Sequence, residues 1–178
     1  MDRDWLAHLD TETAREARKL IAQMEVLGAP DAEEWVYSEI TEDIPQVARY
    51  LVLRRIWESI DAWVGNSQVI MPRLAAESEK DPEGHFADAG RAVKRMLQAG
   101  ISPEDIGRVA RLVSYDTAFA VLEIIDEGGY PEADDTMPGW SLVETKSNGE
   151  YTGRHIGSLH ESLLGLDPKG REGRPAQP

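Results

Sequence analysis

The stretch that decides the fold is residues 102–129, which read SPEDIGRVARLVSYDTAFAVLEIIDEGG. Ser102 is a residue type that caps helices, Pro103 suits a first helical turn, and the two acids after it favour the positive end of the helix dipole. Glycines at positions 128 and 129 then end the pattern. The stretch predicts one long helix, with an apolar stripe at helical spacing made by Ile106, Val109, Val113, Ala120 and Ile124.

The residues before this stretch predict several further helices. Asp10 or Thr11 can cap a helix that Gly28 ends, and apolar residues recur through it at helical spacing. The segment 67–83 is predicted to be irregular, because prolines interrupt it at positions 72 and 82. Residues 42–64 are apolar on nearly all sides, which is typical of a central helix. Apolar residues at helical spacing thus predict further helices over residues 31–40, 42–64 and 86–100.

Residues 140–153 change to a β pattern. Two short runs flank Asn148-Gly149, a pair that suits a tight hairpin turn. Ser158 and Glu161 then form a capping-box pattern, which predicts a short terminal helix. The expected fold is mainly α: a compact bundle of five or six helices with a small C-terminal β-hairpin and a short terminal helix. We expect residues 1–166 to form a single helical domain and residues 167–178 a flexible tail.

The composition favours a cytoplasmic protein that binds neither nucleic acid nor membrane directly. The 178 residues carry a formal charge of −14, which repels phosphates and anionic lipids. The first residues lack the order of a signal peptide, and no stretch approaches the ~20 apolar residues that span a bilayer. The chain has no cysteine, which excludes disulfides and thiol nucleophiles. Since no phosphate-binding loop or other catalytic motif occurs, we expect no cofactor and no metal.

Two segments contain acids but no lysine or arginine. Seven acids lie between Lys19 and Arg49, and eight lie between Arg111 and Lys146. A solvated acidic surface is the simplest explanation of either run, and a calcium loop over 126–135 matches no known spacing. Aromatic residues set among acids also supply both burial and steering toward a basic protein. This interpretation predicts a partner-binding surface formed by Glu33, Glu34, Trp35, Tyr37 and Glu39.

A cluster of polar residues near the C-terminus is the nearest approach to a catalytic site. His155 and His160 lie close in sequence to Ser158 and Glu161, which could support acid–base chemistry. Glu161, Glu58 or Asp116 would supply the carboxylate partner. The capping box explains the serine and the glutamate without any catalysis, and we favour that structural explanation.

A polar stripe crosses the otherwise apolar central helix. Arg54, Glu58 and Asp61 fall on one side of it at helical spacing. Such residues can line a pocket for a polar ligand, but an interhelical ion-pair network with Arg55 or Asp116 is the simpler explanation.

These patterns favour a non-enzymatic binding protein over an enzyme. Recognition of a basic protein needs a charged, aromatic-bearing surface rather than catalytic groups, as in an immunity protein or a regulator. The alternative is a hydrolase that uses His155 and His160 with a carboxylate partner. The sequence also leaves open whether the chain forms a homo-oligomer.

Overall fold

Helices dominate the regular structure of this protein. The computed structural model describes residues 5–130, 136–170 and 172–174. The predicted mainly α class, with a small C-terminal hairpin and a short terminal helix, is confirmed. The described residues form short 3-10 helices at Trp5–His8 and Leu164–Leu166 and the elements α1 (Thr11–Val26), α2 (Ala32–Thr41), α3 (Gln46–Gly65), α4 (Ser67–Lys80), α5 (Ala87–Gln98), α6 (Pro103–Glu127), β1 (Leu142–Thr145), β2 (Tyr151–Ile156) and α7 (Leu159–Leu163).

Side-chain caps start two of these helices as the sequence predicts. The Asp10 carboxylate accepts the backbone N–H groups of Glu12 and Thr13, at 2.9 and 3.1 Å. The Ser102 hydroxyl accepts the N–H of Asp105 at 3.1 Å. Each cap satisfies backbone donors that have no partner inside the helix, and this is why α1 and α6 begin where they do.

The prediction of an irregular segment at 67–83 is wrong, because residues 67–80 form α4. Pro72 lies inside this helix and is exposed. A proline removes one backbone N–H, so the carbonyl of Gln68 loses its intrahelical donor, and at this exposed position water can replace it. The helical signal lies instead in small and flexible buried residues at three- and four-residue spacing, namely Ser67, Met71, Ala75 and Ser78.

The chain divides into two compact units, one formed by residues 1–54 and 121–178 and the other by residues 55–120. The first unit contains α1 and α2, which pack together, along with the hairpin and α7. Its fully buried side chains come from distant parts of the sequence and include Met24, Val36, Leu53, Leu159 and Leu163. The single domain over 1–166 stays a prediction.

The second unit is built on α4 and α5. These helices pack closely at Gly90, where an added Cβ atom would lie 2.5 Å from the carbonyl oxygen of Leu74. Trp57, Ile60 and Met71 are fully buried in this unit. Trp57 packs against Tyr115 with ring centroids 5.8 Å apart, and the guanidinium of Arg111 lies 5.4 Å from the Trp57 ring.

The hairpin pairs β1 with β2 in antiparallel register, with Leu142 opposite Ile156 and Val143 opposite His155. The chain after α7 turns back at Asp167, which is buried and accepts the N–H groups of Lys169 and Gly173 at 3.0 and 2.8 Å. The predicted flexible tail at 167–178 falls partly on Arg171 and residues 175–178, which lie outside the described residues.

Candidate functional site

A shallow cleft of about 400 Å³, widely open to solvent, lies in the first unit beside the start of α2. Asp31, Glu34 and Trp35 form the side of the cleft that α2 contributes. The N-terminus of α3 and the residues around α7 form the rest of the lining, with Gln46, Arg49, Ser162, Gly165 and Leu166. This arrangement brings two carboxylates and an indole together at one concave surface.

Neither acid of the cleft forms an ion pair with another of the described residues. Asp31 lies at the helix start in the left-handed region, at φ 51°, and its side chain makes no capping hydrogen bond. The N–H of Glu34 is satisfied instead by the backbone carbonyl of Asp31 at 2.8 Å. Both side chains are exposed, so the carboxylates can meet a cation that enters from solvent.

Trp35 is held as one wall of the cleft. It is half-buried, and its ring meets Tyr50 edge-on with centroids 5.8 Å apart. Tyr50 is itself fixed because its hydroxyl donates to the carbonyl of Leu27 at 3.1 Å. An indole fixed in this way can offer a ring face at little further cost in conformational entropy.

Arg49 introduces a positive charge into the cleft, but protein acceptors already hold it. Its guanidinium donates to Gln46 at 2.7 Å, to the Ser158 carbonyl at 3.0 Å and to the Ser162 hydroxyl at 2.9 Å. Burial lowers the pKa of Arg49, and the nearby charges of Asp126 and Glu161 oppose that shift. The side chain therefore links α3 to α7.

The predicted partner-binding residues do not form one continuous surface. Glu34 and Trp35 line the cleft, whereas Glu33 accepts the Trp5 indole N–H at 3.0 Å. Tyr37 packs edge-on against the same Trp5 ring, with centroids 5.2 Å apart. These two contacts give Glu33 and Tyr37 a role in positioning the N-terminal segment.

Glu39 corrects the predicted surface, because it is buried. Its side chain is 8% exposed and forms an ion pair with Arg154 at 2.6 Å. Its second oxygen accepts the N–H of Val47 at 2.9 Å. Arg154 also binds Glu144 on the opposite strand in a bidentate pair, at 2.7 and 2.8 Å. Burial disfavours the charged guanidinium, yet the hydrogen bonds to Glu144 and Glu39 outweigh it and raise the pKa of Arg154.

The two histidines have different hydrogen-bond partners. Nδ1 of His155 lies 3.2 Å from the Ser141 hydroxyl at an exposed position of β2. Nδ1 of His160 lies 2.7 Å from Asp126 Oδ2, and this hydrogen bond raises the pKa of His160. Asp126 is thus a carboxylate partner of His160 outside the set Glu161, Glu58 and Asp116 that the sequence suggests, and of that set the nearby charge of Glu161 also raises the pKa of His160. No local pattern reveals Asp126, because 34 residues separate the pair.

The predicted capping box at the start of α7 does not form. Ser158 adopts the left-handed region at φ 52°, and its side chain makes no capping bond. Asp126 takes over this role across the fold, since its Oδ2 atom also accepts the backbone N–H of His160 at 3.0 Å. The Asp126–His160 pair thus both caps a helix and orients an imidazole, while the other oxygen of Asp126 is buried without a hydrogen bond.

The predicted polar stripe is divided between the two units. In the first unit, Arg54 approaches the Tyr50 hydroxyl at 3.5 Å. In the second, Glu58 pairs with Arg55, and Asp61 accepts a hydrogen bond from Arg111 at 2.6 Å. Asp61 and Arg111 form an interhelical ion pair, whereas the pair that Glu58 makes with the suggested Arg55 lies within α3, so among the described residues the expected interhelical pairing appears at Asp61 and with a different arginine. Asp116 is exposed on α6.

The described residues contain no clustered metal ligands: no group of three or more histidine, aspartate or glutamate side chains among them is arranged to hold a metal ion. None of the helices in this part of the chain combines the length and the apolar character needed to cross a bilayer. Most of the acids proposed for a calcium loop at 126–135 fall outside the described residues.

The comparisons with known proteins identify no relative. No protein-family model, curated protein sequence or solved structure matches the chain. The function is therefore argued from the geometry of the chain itself.

Proposed function

We propose that the chain is a non-enzymatic cytoplasmic binding protein that engages a basic protein, in the manner of an immunity protein or a regulator. The observation that carries this proposal is the cleft whose lining includes the half-buried Trp35 and two exposed acids, Asp31 and Glu34. Concave sites with an aromatic wall and a few polar groups are typical binding sites.

The cleft fits a lysine or arginine side chain better than an anion. The alkyl part of such a side chain can pack on the indole while its charged group pairs with the carboxylates, and cation–π attraction acts within about 6 Å of the ring. Among the described residues of the lining, Arg49 is the one base, and neutral acceptors in the chain fix its guanidinium without cancelling its charge. The two acids therefore outnumber the one base that a bound side chain would meet.

The charge of the whole chain supports the same class of partner. A formal charge of −14 attracts a basic protein at long range and raises the rate of association at low salt. The cleft then supplies the short-range contacts that net charge alone does not provide.

The proposal is tested by capture of partners from the native cell on the immobilised chain at low and at high salt. Glu34→Lys and Trp35→Ala should each weaken capture of a specific basic protein by about tenfold or more, since truncation of a central anchor typically costs ~2 kcal/mol or more. Glu16→Lys is the matched control, because it makes the same charge change at an exposed position of α1.

Two outcomes would contradict the proposal. One is that no specific partner is recovered at either salt concentration. The other is that the cleft variants and Glu16→Lys lose binding equally, which would reduce the effect to net charge. Circular dichroism and thermal unfolding of each variant show whether lost binding reflects lost structure.

A hydrolase is the second candidate function, and the Asp126–His160 pair is the observation in its favour. A carboxylate that orients an imidazole is half of a general acid–base arrangement. The Ser162 hydroxyl, two residues after His160 in the chain, accepts a hydrogen bond from Arg49. If the chain is a hydrolase, His160→Ala abolishes turnover of an ester or amide substrate while His155→Ala leaves it intact. Equal rates in both variants would remove this alternative.

A further inference from the structure

The outer face of α6 in the second unit is apolar and exposed. Val109, Leu112 and Val113 are 64%, 60% and 58% exposed. Residues three and four apart share one side of a helix, so these side chains form a continuous stripe, which Ala120 extends by two further turns. Isolated exposed apolar residues are normal on protein surfaces, whereas a contiguous patch marks an interaction site.

The opposite face of α6 mixes small, charged and aromatic residues and turns toward the rest of the unit. Gly107 is buried, and an added Cβ atom there would lie 2.5 Å from the carbonyl oxygen of Trp63. Arg111 and Tyr115 lie against the Trp57 ring. Gly107, Arg111 and Tyr115 therefore make the contacts of α6 within the unit, while the apolar Val109, Leu112 and Val113 are exposed to solvent.

The charged residues within the stripe are all acidic. Asp105 lies at its start and Asp116 at its middle, and both are exposed. Arg108 lies at the margin and already pairs with Glu104 and Asp105, at 2.7 and 2.6 Å. If a second copy of the chain docked here through α6, each copy would bring the exposed Asp116 to the contact, while Arg108, the base at the margin, is already paired with Glu104 and Asp105.

We infer that this stripe is a docking surface for an amphipathic helix of a partner, with apolar residues that cover Val109, Leu112 and Val113 and a basic residue opposite Asp116. A helix laid along another helix places anchors at three- and four-residue spacing, which matches the stripe. The basic character of the occupant rests on the proposed function, but the stripe lies in the second unit and is separate from the cleft.

The test uses a synthetic amphipathic helical peptide of leucine and lysine and its counterpart of leucine and glutamate. We expect the full chain to bind the lysine peptide and to increase its helix content. Val113→Asp should weaken this binding about tenfold or more, while Val69→Asp, the same change at an exposed position of α4, should leave it nearly unchanged. Asp116→Lys should weaken binding of the lysine peptide and strengthen binding of the glutamate peptide. Glu83→Lys is the control, because it makes the same charge change at another exposed position.

Three results would overturn the inference. The first is the absence of lysine-peptide binding, and the second is equal loss in Val113→Asp and Val69→Asp. The third is sedimentation that shows a dimer of the chain itself which Val113→Asp dissociates, because the occupant would then be a second copy. Glu34→Lys separates the two proposals: it should abolish binding through the cleft and leave the peptide on α6, so either site can fail without the other.

Discussion

Glu39 joins three parts of the first unit through one carboxylate. One oxygen binds Arg154 of the hairpin, and the other accepts the N–H of Val47 at the start of α3. A buried carboxylate needs such partners because its desolvation is costly. The sequence places this residue in an acidic run, and only the long-range pairing with Arg154 distinguishes it from its exposed neighbours.

Glu39→Ala should therefore lower the free energy of unfolding by about 2–4 kcal/mol, because it leaves the Val47 N–H and part of Arg154 without an acceptor. Urea denaturation with an unchanged m-value measures the loss. Glu16→Ala, at an exposed position of α1, should change stability by less than about 0.5 kcal/mol. Similar values for the two variants would show that Glu39 is not a structural anchor.

His160 should make the stability of the first unit depend on pH. The hydrogen bond that the His160 imidazole donates to Asp126 raises the folded-state pKa of His160 above its ordinary value of about 6.5. Because the raised pKa means that the folded state holds the proton more tightly, the stabilisation is complete below about pH 6.5 and is lost as the pH rises through the folded-state pKa. An imidazole titration by NMR gives that pKa directly.

His160→Gln isolates this contribution. The variant should be less stable than the natural chain at acidic pH within the folded range, and the difference should shrink as the pH rises above the folded-state pKa. His155→Gln, which replaces an exposed histidine, should show little change across the same range. A difference that is constant with pH would mean that His160 acts through packing alone.

At the scale of elements, the sequence predicts features whose partners lie nearby along the chain and does not predict those whose partners are distant. Asp10 and Ser102 could be identified as caps because their partners lie two or three residues away. Helix α4 was missed because its buried positions carry small residues and because Pro72 obscures them. The cap of α7 was assigned to Ser158, since no local pattern reveals that Asp126 replaces it.

The residues of the candidate site likewise divide into those that the sequence reveals and those that depend on distant contacts. The acidic run with Trp35 was visible in the sequence, and the cleft does contain Glu34 and Trp35. The contribution of Arg49 and Ser162 depends on α3 meeting α7, and no periodic pattern encodes that contact. The sequence also predicts an apolar stripe on α6, but it does not show whether that stripe faces the core or the solvent. Periodicity defines a face of a helix and not what packs against it.

Close helix contacts at glycines give a prediction for the second unit. Gly107→Ala would place a Cβ atom 2.5 Å from the Trp63 carbonyl, so α6 must shift. We expect a loss of about 1–3 kcal/mol despite the better helix propensity of alanine. Gly65→Ala is the control, because nothing lies within 4 Å of its added Cβ, and it should not destabilise. Thermal unfolding distinguishes the two, and equal melting temperatures would refute the close contact.

At the scale of the whole molecule, negative charge opposes compactness. The chain contains thirty-three acids and nineteen lysines and arginines. Each exposed ion pair among them contributes only ~0–1 kcal/mol to the free energy of unfolding. Moderate sodium chloride should therefore raise the melting temperature, since a Debye length of about 10 Å at 0.1 M screens the repulsion between distant acids.

Differential scanning fluorimetry at several salt concentrations checks this expectation. Choline chloride should act as sodium chloride does if screening is responsible, and sucrose at the same osmolarity should not reproduce the early, steep part of the rise. A melting temperature that falls with salt would show that ion pairs outweigh the net repulsion.

The contact between Trp57 and Tyr115 also gives the second unit its own optical reporter. Trp57 is 1% exposed, so its fluorescence should lie at shorter wavelengths than that of the exposed Trp140. The ring centroids are 5.8 Å apart, and at this separation the excitation energy of the tyrosine is transferred efficiently to the indole. Tyr115→Phe should therefore lower the tyrosine contribution to the excitation spectrum of the blue-shifted emission without removing it, because Trp5 and Trp35 also lie close to tyrosine rings, at centroid distances of 5.2 and 5.8 Å.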